Sequence, residues 1–450
     1  MTLWSGRFEE TPDDVLWGFT VDTSDRRLLV DDISGSIAHV QMLGTTGIIS
    51  GTEASTIGDG LSAILDEAWA GSFEFKEGDE DIHSAVERRL TELVGIVAAK
   101  MHTGRSRNDQ ICLDLRLYLR RSAHVRIGQI DALIRSLVGQ ARRVGDAVSP
   151  SFTHLQQAQA IPFAHHLLAY AWMLKRDAER FRDMCTRVDV SPLGASASGG
   201  SSLPLDPDLT ADLMGFAHRF DNSLDAVGSR DFASEYAFCC AQTMVTLSRL
   251  SEELILWATI EFDWVSFPDR HTTGSSAMPH KKNPDMAELV RGKSAVVLGA
   301  ANGLLILQKG LPLTYNRDLQ EDKNLVFQAD DATSGSLVAL AAMIEAAEFH
   351  PKEPTSWVTA LDLAEVLVER GVPFRIAHEV IGLLVASLVA DGRTMEQVTG
   401  ADLVAAHRLF TLDDVRWSNP RTSMERRVTP GGGSMVSVAK QLEALAGYLS

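Results

Sequence analysis

The chain has few cysteines, and their spacing excludes a disulfide framework or a cysteine-ligated zinc site. Four cysteines occur in 450 residues, and none belongs to a CxxC pair. Cys239 and Cys240 are adjacent within an apolar segment, which is typical of buried free thiols. The histidines lack the HExxH spacing of a helical metal pair. We therefore predict no metal site, and the absence of Walker and GxSxG motifs gives no indication of a nucleotide or a serine hydrolase.

Basic charge and long apolar runs are also scarce. Asp and Glu number 60 against 42 Lys and Arg, which gives a formal net charge of −18. This sign disfavours non-specific binding to nucleic acid or to an anionic membrane. No run reaches the roughly 18 apolar residues of a membrane span, and MTLWSGRFEE does not read as a secretory signal. The composition predicts a cytoplasmic protein with neither a nucleic-acid partner nor a membrane partner.

Proline is missing from several long segments and glycine from two of them, and this absence indicates helices. Neither residue occurs between Gly228 and Pro268, where apolar residues recur at helical spacing. The other long segments without proline are 109–148, 163–190 and 285–309, in which Ala, Leu, Ile, Arg and Glu dominate. Helices of this length cannot each bury an apolar stripe alone, so we predict a mostly α protein whose long helices form a central bundle and recruit helices from other copies.

The regions on either side of the long segments contain shorter elements. We predict three domains: an N-terminal helical domain (1–104), a central long-helix domain (105–356) and a C-terminal helical domain (357–450). Within the first, Gly58 and Gly60 match G-x-G-x-x-A in letters. Because no apolar strand precedes them, we predict a turn beside a helix instead of a dinucleotide site.

Residues 271–285 combine features that suit a bound carboxylate. Gly274 lets the chain bend, Ser275 offers a hydroxyl, and two lysines and Asn283 follow. Pro284 suits the first turn of a helix, whose free N–H groups attract anions. A solvated loop is the simplest interpretation of Lys-Lys-Asn alone, but the run of specific residues favours a ligand-binding loop.

Three motifs carry a resemblance to a known family. GSSAMPHKKNPD (274–285) resembles the signature loop of the fumarase/aspartase superfamily, and HTGRSRNDQ (102–110) with YNRDLQEDK (315–323) resembles its argininosuccinate lyase family. The similarity extends from LWSGRF (3–8) into LDLAEVLVERGVPFRIAH (361–378). The resemblance implies a mostly α, three-domain fumarase/aspartase-type fold, and a homotetramer whose active sites are shared between subunits. It also implies reversible cleavage of argininosuccinate to arginine and fumarate, in arginine biosynthesis, without metal or organic cofactor.

The resemblance further implies roles for individual residues. Eliminating an amine from an N-substituted aspartate removes a Cβ proton beside a carboxylate, so positive potential must stabilise the resulting dianion. By motif position, Ser275 is the general base, Lys281 the stabilising cation, and His154 a proton-carrying group oriented by Glu288. The implied substrate-binding residues are Arg105, Ser106, Arg107, Asn108, Thr153, Asn283, Tyr315, Gln320, Lys323 and His83. Two arginines near a helix N-terminus independently suggest an anionic ligand, since they oppose the helix dipole.

A few positions differ from the usual family pattern. The segment 19–27 is one residue shorter, with Val21 or Asp22 near the place of a substrate-binding serine, and His280 stands where glutamine is usual. These differences concern the amine half of the substrate. Two alternatives therefore stay open: a lyase of the same mechanism acting on another N-substituted aspartate, and a catalytically inactive, crystallin-like structural protein.

Overall fold

Helices form most of the chain in the computed structural model, which describes residues 13–450. The LWSGRF motif at 3–8 lies outside the described residues. The α-helices of the described chain are α1 (Asp14–Thr20), α2 (Leu29–Thr45), α3 (Gly51–Trp69), α4 (Ile82–Val94), α5 (Arg107–Arg143), α6 (Phe163–Val188), α7 (Pro207–Leu213), α8 (Ser223–Gly228), α9 (Asp231–Trp257), α10 (Asp285–Gln308), α11 (Asp322–Glu345), α12 (Ala360–Glu369), α13 (Phe374–Ala390), α14 (Gly400–Ala406), α15 (Pro420–Glu425) and α16 (Met435–Leu449). The predicted mostly α fold is confirmed.

Four small sheets complete the regular structure of the described residues. β1 (Val148–Thr153) pairs with β2 (Gln156–Pro162), β3 (Val190–Ser191) with β4 (His218–Arg219), β5 (Val265–Ser266) with β8 (Glu348–Phe349), and β6 (Thr273–Gly274) with β7 (Lys282–Asn283). All pairs except β3–β4 are antiparallel. Short 3₁₀ helices include Ser24–Leu28, Gly95–His102 and Arg317–Glu321.

The long helices begin close to the predicted positions, but α9 ends early. The segment before Pro268 contains neither proline nor glycine, yet α9 stops at Trp257. Asp263 then adopts a left-handed φ of 52°, and the backbone N–H of Trp264 donates to the Trp257 carbonyl at 2.9 Å. Aspartate tolerates this conformation better than most residues, so the chain can reverse without a glycine.

The chain forms two compact units, each assembled from separate stretches of sequence. The first contains the described part of 1–128 together with 179–242 and 294–334, and the second contains 129–178, 243–293 and 335–450. Each of the five longest helices, α5, α6, α9, α10 and α11, contributes residues to both units. The three-domain division of the sequence stays a prediction.

Within the first unit, the N-terminal helices share one apolar core. Ile33 and Leu43 of α2 pack with Ile57 and Leu61 of α3 and with Leu90 of α4. Long helices also meet in this unit at a buried carboxylate: Asp330 of α11 accepts from Tyr118 of α5 at 2.6 Å and from Tyr236 of α9. Because buried polar groups are costly unless paired, this junction fixes the register of three helices.

The predicted turn at Gly58 and Gly60 is wrong, because both residues lie inside α3. A Cβ on Gly60 would come within 2.7 Å of the Leu90 side chain and 2.9 Å of Val94. Glycine is therefore needed here for close packing of α3 on α4, despite its low helix propensity.

In the second unit, aromatic side chains support the β1–β2 hairpin. Phe152 of β1 lies 5.8 Å, ring to ring, from Trp264, and Phe163 lies 5.3 Å from Trp257. Elsewhere in this unit, helices α12, α13 and α14 share a separate core that contains Leu367.

Candidate active site

A polar cavity of about 260 Å³ lies in the first unit. Its lining brings together residues from DEDIH (79–83), the segment that contains His83, and from the HTGRSRNDQ and YNRDLQEDK motifs. Predicted site residues in the lining are His83, Arg107, Asn108, Tyr315, Gln320 and Lys323. Arg105 and Ser106 are not among the lining residues. The cavity therefore unites most, but not all, of the residues expected from those three motifs.

The start of α5 places Arg107 and Asn108 at the cavity. Arg107 donates from Nε to Asp81 Oδ2 at 2.6 Å, and Asn108 Nδ2 donates to the Ala197 carbonyl at 2.9 Å. Burial alone would raise the pKa of Asp81, but the positive charges of His83 and Arg107 outweigh burial and lower that pKa to about 2. Asp81 also caps α4 by accepting from the Ser84 backbone at 2.8 Å. The Asp81 carboxylate thus connects the DEDIH segment to the HTGRSRNDQ motif.

The opposite wall is formed around the 3₁₀ turn before α11. Lys323 is buried and donates from Nζ to the Gln320 carbonyl at 3.0 Å and to Asp322 at 3.3 Å. Asp322 also pairs with the buried Arg230 at 2.5 Å. Gln320 Nε2 donates to the Thr20 carbonyl at 3.2 Å. These bonds fix the amide and ammonium groups that face the cavity.

A buried ionic network surrounds His83. Its Nδ1 lies 3.0 Å from Asp32 Oδ1 and 3.9 Å from Asp114 Oδ2. Burial would lower the pKa of His83, but Asp32 outweighs burial and raises it, whereas burial raises the pKa of Asp114 well above its ordinary value. The ligand atoms of these three groups lie within 4.8 Å of one another, a spacing that could hold a metal ion. The hydrogen bond between His83 Nδ1 and Asp32 Oδ1 already joins two of these three groups.

Arg105 and Arg107 do not require an anionic ligand for charge balance. Arg105 is buried, donates to Ser36 Oγ at 2.9 Å, and lies in the electrostatic field of Asp32, Asp109 and Asp114. Arg107 has Asp81 as its partner. The argument from the helix dipole alone is therefore wrong, because protein carboxylates compensate both arginines.

The signature loop is a hairpin in the second unit. β6 and β7 close it through the Thr273–Asn283 and Gly274–Lys282 pairs, and Thr273 Oγ1 also hydrogen-bonds Asp285. Ser275 Oγ accepts from the backbone N–H groups of Ala277 at 3.3 Å and Met278 at 3.1 Å. The loop's own amides therefore point at the serine oxygen.

The two lysines of the loop differ. Lys282 is anchored by Asp269 at 2.8 Å and donates to the Phe267 carbonyl at 3.2 Å. Lys281 is exposed and forms no ion pair with any residue in 13–450. Lys282 thus holds the base of the hairpin, and Lys281 is the lysine left for a ligand.

Thr153 and His154 stand at the exposed tip of the β1–β2 hairpin. His154 and Leu155 have φ values of 55° and 59°, which form the tight turn between the strands. Glu288 lies exposed in the first turn of α10. No hydrogen bond joins Glu288 to His154 within the described chain, so the implied pairing stays a prediction.

Several cavity residues were not predicted from the sequence. These additional lining residues are Thr20, Asp25, Glu80, Asp81, Ile111 and Arg317, whereas Asp22 was named only as a departure from the family pattern. Glu80 and Asp81 lie in the DEDIH segment, Arg317 lies inside YNRDLQEDK, and Ile111 follows HTGRSRNDQ directly. Attention to charged neighbours within each motif could have found three of them, Glu80, Asp81 and Arg317.

The loop, the cavity and the long helices together are typical of lyases of the fumarase/aspartase type. Family comparison agrees: a profile described as "Lyase" matches residues 6–299, and one described as "Argininosuccinate lyase C-terminal" matches 357–425. More narrowly, the chain belongs to the argininosuccinate lyase family. It is 43% identical over 446 residues to the argininosuccinate lyase of Bacillus velezensis, covering 98% of this chain and 97% of the relative. It is 48% identical over 403 residues to that of Desulforudis audaxviator, covering 88% of each.

Solved structures show the same fold. An EDDS lyase in complex with formate matches with a TM-score of 0.82 and 27% identity, covering 96% of this chain and 88% of that chain. A class II fumarase from Schistosoma mansoni matches with a TM-score of 0.73 and 14% identity, covering 91% and 92%. The fumarase-type architecture is therefore confirmed.

Proposed function

We propose that this protein catalyses the reversible elimination of L-arginine from argininosuccinate, releasing fumarate, as a step of arginine biosynthesis. The observation that carries the proposal is the sequence similarity to curated argininosuccinate lyases, which extends over nearly the full length of the chain. The protein is accordingly a carbon–nitrogen lyase. The cavity and the signature hairpin offer two kinds of binding group, one for each half of such a substrate.

The signature hairpin acts on the succinyl half. Ser275 takes the Cβ proton, and the electron pair is delocalised into the adjacent carboxylate. The pair then returns to form the C=C bond of fumarate as the C–N bond breaks, and the C–N electrons leave with the guanidino nitrogen, which takes up a proton. A free serine hydroxyl is a weak base, but the Ala277 and Met278 amides that already contact its oxygen would stabilise the alkoxide. Lys281 and Asn283 neutralise the developing dianion. Lys281 suits this role because Asp269 occupies the neighbouring Lys282 instead.

Thr153 and His154 approach the substrate from the tip of their hairpin. Thr153 binds a substrate carboxylate, and His154, oriented by Glu288, carries a proton to or from the reacting groups. Support comes from the strained, exposed turn, since left-handed residues without glycine often mark functional sites. The exposure of both side chains leaves them available to a substrate held by another chain.

The cavity of the first unit holds the amine half. Tyr315, Gln320 and Lys323 bind the amino-acid end of the arginine portion, and Asn108 and Arg107 face the same space. His83 lines the cavity as well, and the Asp32 carboxylate raises its pKa against the opposing effect of burial. Arg105 and Ser106 act indirectly: Ser106 Oγ accepts from the Asn108 backbone at 3.3 Å, and Arg105 balances the carboxylates behind the cavity.

The working form is a homotetramer in which each active site draws on three chains. Supporting this, α10 is apolar enough by length and composition to cross a membrane, yet only 22% of its most apolar window is buried within one chain. Leu289, Leu305 and Ile306 are 63%, 61% and 56% exposed. Exposed apolar side chains of this kind are typically buried in an interface. In the proposed cytoplasmic tetramer, α10 of other copies buries them.

The deciding experiment incubates the purified protein with argininosuccinate and follows fumarate by its ultraviolet absorption. Fumarate and arginine should appear in equal amounts. No fumarate at high protein concentration would refute the assignment and favour a catalytically inactive structural role. Running the reaction backwards, from fumarate and a panel of amines, distinguishes argininosuccinate from other N-substituted aspartates.

A further inference from the structure

The charged residues lining the cavity are almost, but not fully, paired. They are Asp22, Asp25, Glu80, Asp81, Arg107, Arg317 and Lys323, besides His83. Arg107 pairs with Asp81 at 2.6 Å, and Arg317 lies 3.9 Å from Glu80. Asp25 is buried, accepts from the Ile82 backbone at 3.0 Å and lies in the field of Lys323. Asp25 forms no ion pair but is buried, so Asp22 is the partly buried carboxylate of this lining that forms no ion pair within residues 13–450.

Asp22 is held in a fixed orientation by its own chain. Oδ1 accepts from the Ser24 backbone N–H at 2.9 Å, and Oδ2 accepts from Ser24 Oγ at 2.5 Å. Within residues 13–450 no ion pair reaches it. A carboxylate has about four lone-pair sites, so half of its acceptor capacity remains for a ligand.

The backbone that carries Asp22 is tied to the opposite wall. The Thr20 carbonyl accepts from Arg317 at 2.8 Å and from Gln320 at 3.2 Å. Segment 20–24 and the 3₁₀ turn before α11 are therefore linked directly. The position of Asp22 relative to Lys323 is set by protein contacts and does not depend on a bound ligand.

Lys323 provides the positive pole of the same cavity. Its ammonium has three N–H donors, of which two point at the Gln320 carbonyl and Asp322. Asp322 is shared with Arg230, so it compensates Lys323 only in part. A cavity with a cation at one wall and an unpaired carboxylate at another matches a zwitterionic amino-acid end.

We infer that Asp22 determines specificity for the amine half by forming an ion pair with its α-ammonium group, while Lys323 faces the α-carboxylate. The inference rests on the proposed function. A serine, the residue usual near this position, would bind the ammonium through a neutral hydroxyl. Asp22 binds it through a charge, so an amine without the ammonium would leave a desolvated carboxylate unpaired.

The test measures the reverse reaction with saturating fumarate. L-Arginine is compared with 5-guanidinopentanoate, which lacks only the α-ammonium group. The wild-type KM should be at least ~10-fold higher for 5-guanidinopentanoate, as expected for losing a charge-assisted contact. Asp22→Asn should raise the KM for arginine at least ~10-fold, change kcat by less than about twofold and leave the KM for the analogue unchanged.

Asp14→Asn is the matched control, because it makes the same chemical change on the exposed start of α1. Asp22→Ser provides a second variant, for which the same selective rise in KM is expected. An unchanged arginine KM in both Asp22 variants would overturn the inference alone. A wild-type protein that couples no arginine to fumarate would overturn the proposed function together with the inference.

Discussion

Ser275 depends on backbone amides for its proposed reactivity. The Ala277 and Met278 N–H groups contact its oxygen at 3.3 and 3.1 Å, so two donors already face the oxygen of the proposed base. Backbone donors of this kind stabilise a developing oxyanion without reorganisation. The backbone conformation of the loop therefore places the donors that the proposed base requires.

Replacing Ser275 by alanine should lower kcat by at least ~10²-fold, because a positioned acid–base group is lost. Steady-state fumarate release measures the effect, with circular dichroism to verify folding. Ser276→Ala serves as the neighbouring control and should have a much smaller effect. Near-normal turnover of Ser275→Ala would remove this residue from the base role.

His39 gives a residue-scale prediction about pH. Its Nε2 must donate to the Thr103 carbonyl at 2.9 Å, so Nδ1 is unprotonated and buried. Burial, followed by the positive charge of Arg105, lowers its pKa to about 3. Below pH 6.5 the His39 imidazole therefore binds a proton in the unfolded chain but not in the folded chain. As a result, the free energy of unfolding falls as the pH decreases.

Between pH 7 and pH 5, wild type should lose about 2 kcal/mol more than His39→Gln, at roughly 1.4 kcal/mol per pH unit. Glutamine keeps the donor to Thr103 without gaining a charge. Urea denaturation of both proteins at the two pH values measures the difference. Equal pH dependence in the two proteins would show that His39 is not the titrating group.

At the scale of elements, replacing two glycines of α3 by alanine should change the stability of the protein in opposite directions. A Cβ on Gly60 would clash with Leu90 at 2.7 Å, whereas a Cβ on Gly58 would meet nothing within 4 Å. Gly60→Ala should therefore destabilise the protein by about 1–3 kcal/mol through overpacking. Gly58→Ala should stabilise it by up to about 1 kcal/mol through helix propensity. Thermal melts of both variants test the α3–α4 interface, and equal shifts would contradict it.

The sequence predicted the long helices well because their proline-free apolar periodicity is a local signal. It could not predict where α9 ends, since Asp263 takes a left-handed turn that glycine usually marks. Gly60 of α3 was misread because the demand for a small residue comes from Leu90, about thirty positions away. Similarly, the partners of Arg105 and Arg107 lie on other elements. The motifs identified most residues of the cavity. The carboxylates that balance the charges of these residues could be found only from the fold.

At the scale of the whole molecule, the proposed active site requires several copies of the chain. The exposed apolar side of α10 and the exposed hairpin tip at His154 are both incomplete surfaces in one chain. Assembly into a tetramer would bury the apolar side of α10 and bring the hairpin tip to a site in another chain. We therefore expect a mass of about four times 49.0 kDa in sedimentation.

Mixing inactive variants tests shared sites more sharply. His154→Asn and Lys281→Ala tetramers, dissociated and reassembled together, should regain some activity, because a mixed tetramer contains sites with neither substitution. Ser275→Ala mixed with Lys281→Ala is the control: both changes lie in one loop, so every loop stays defective. Failure of the first mixture in verified hybrids would count against active sites shared between subunits.

The most direct measurement is a crystal structure of Ser275→Ala with argininosuccinate bound. We predict that residues 274–284 close over the succinyl half, with Lys281 and Asn283 at its carboxylates and the Cβ atom facing position 275. The amino-acid end should occupy the cavity of Tyr315, Gln320 and Lys323. A bound substrate whose succinyl half lies far from residues 274–284 in every subunit would contradict this account.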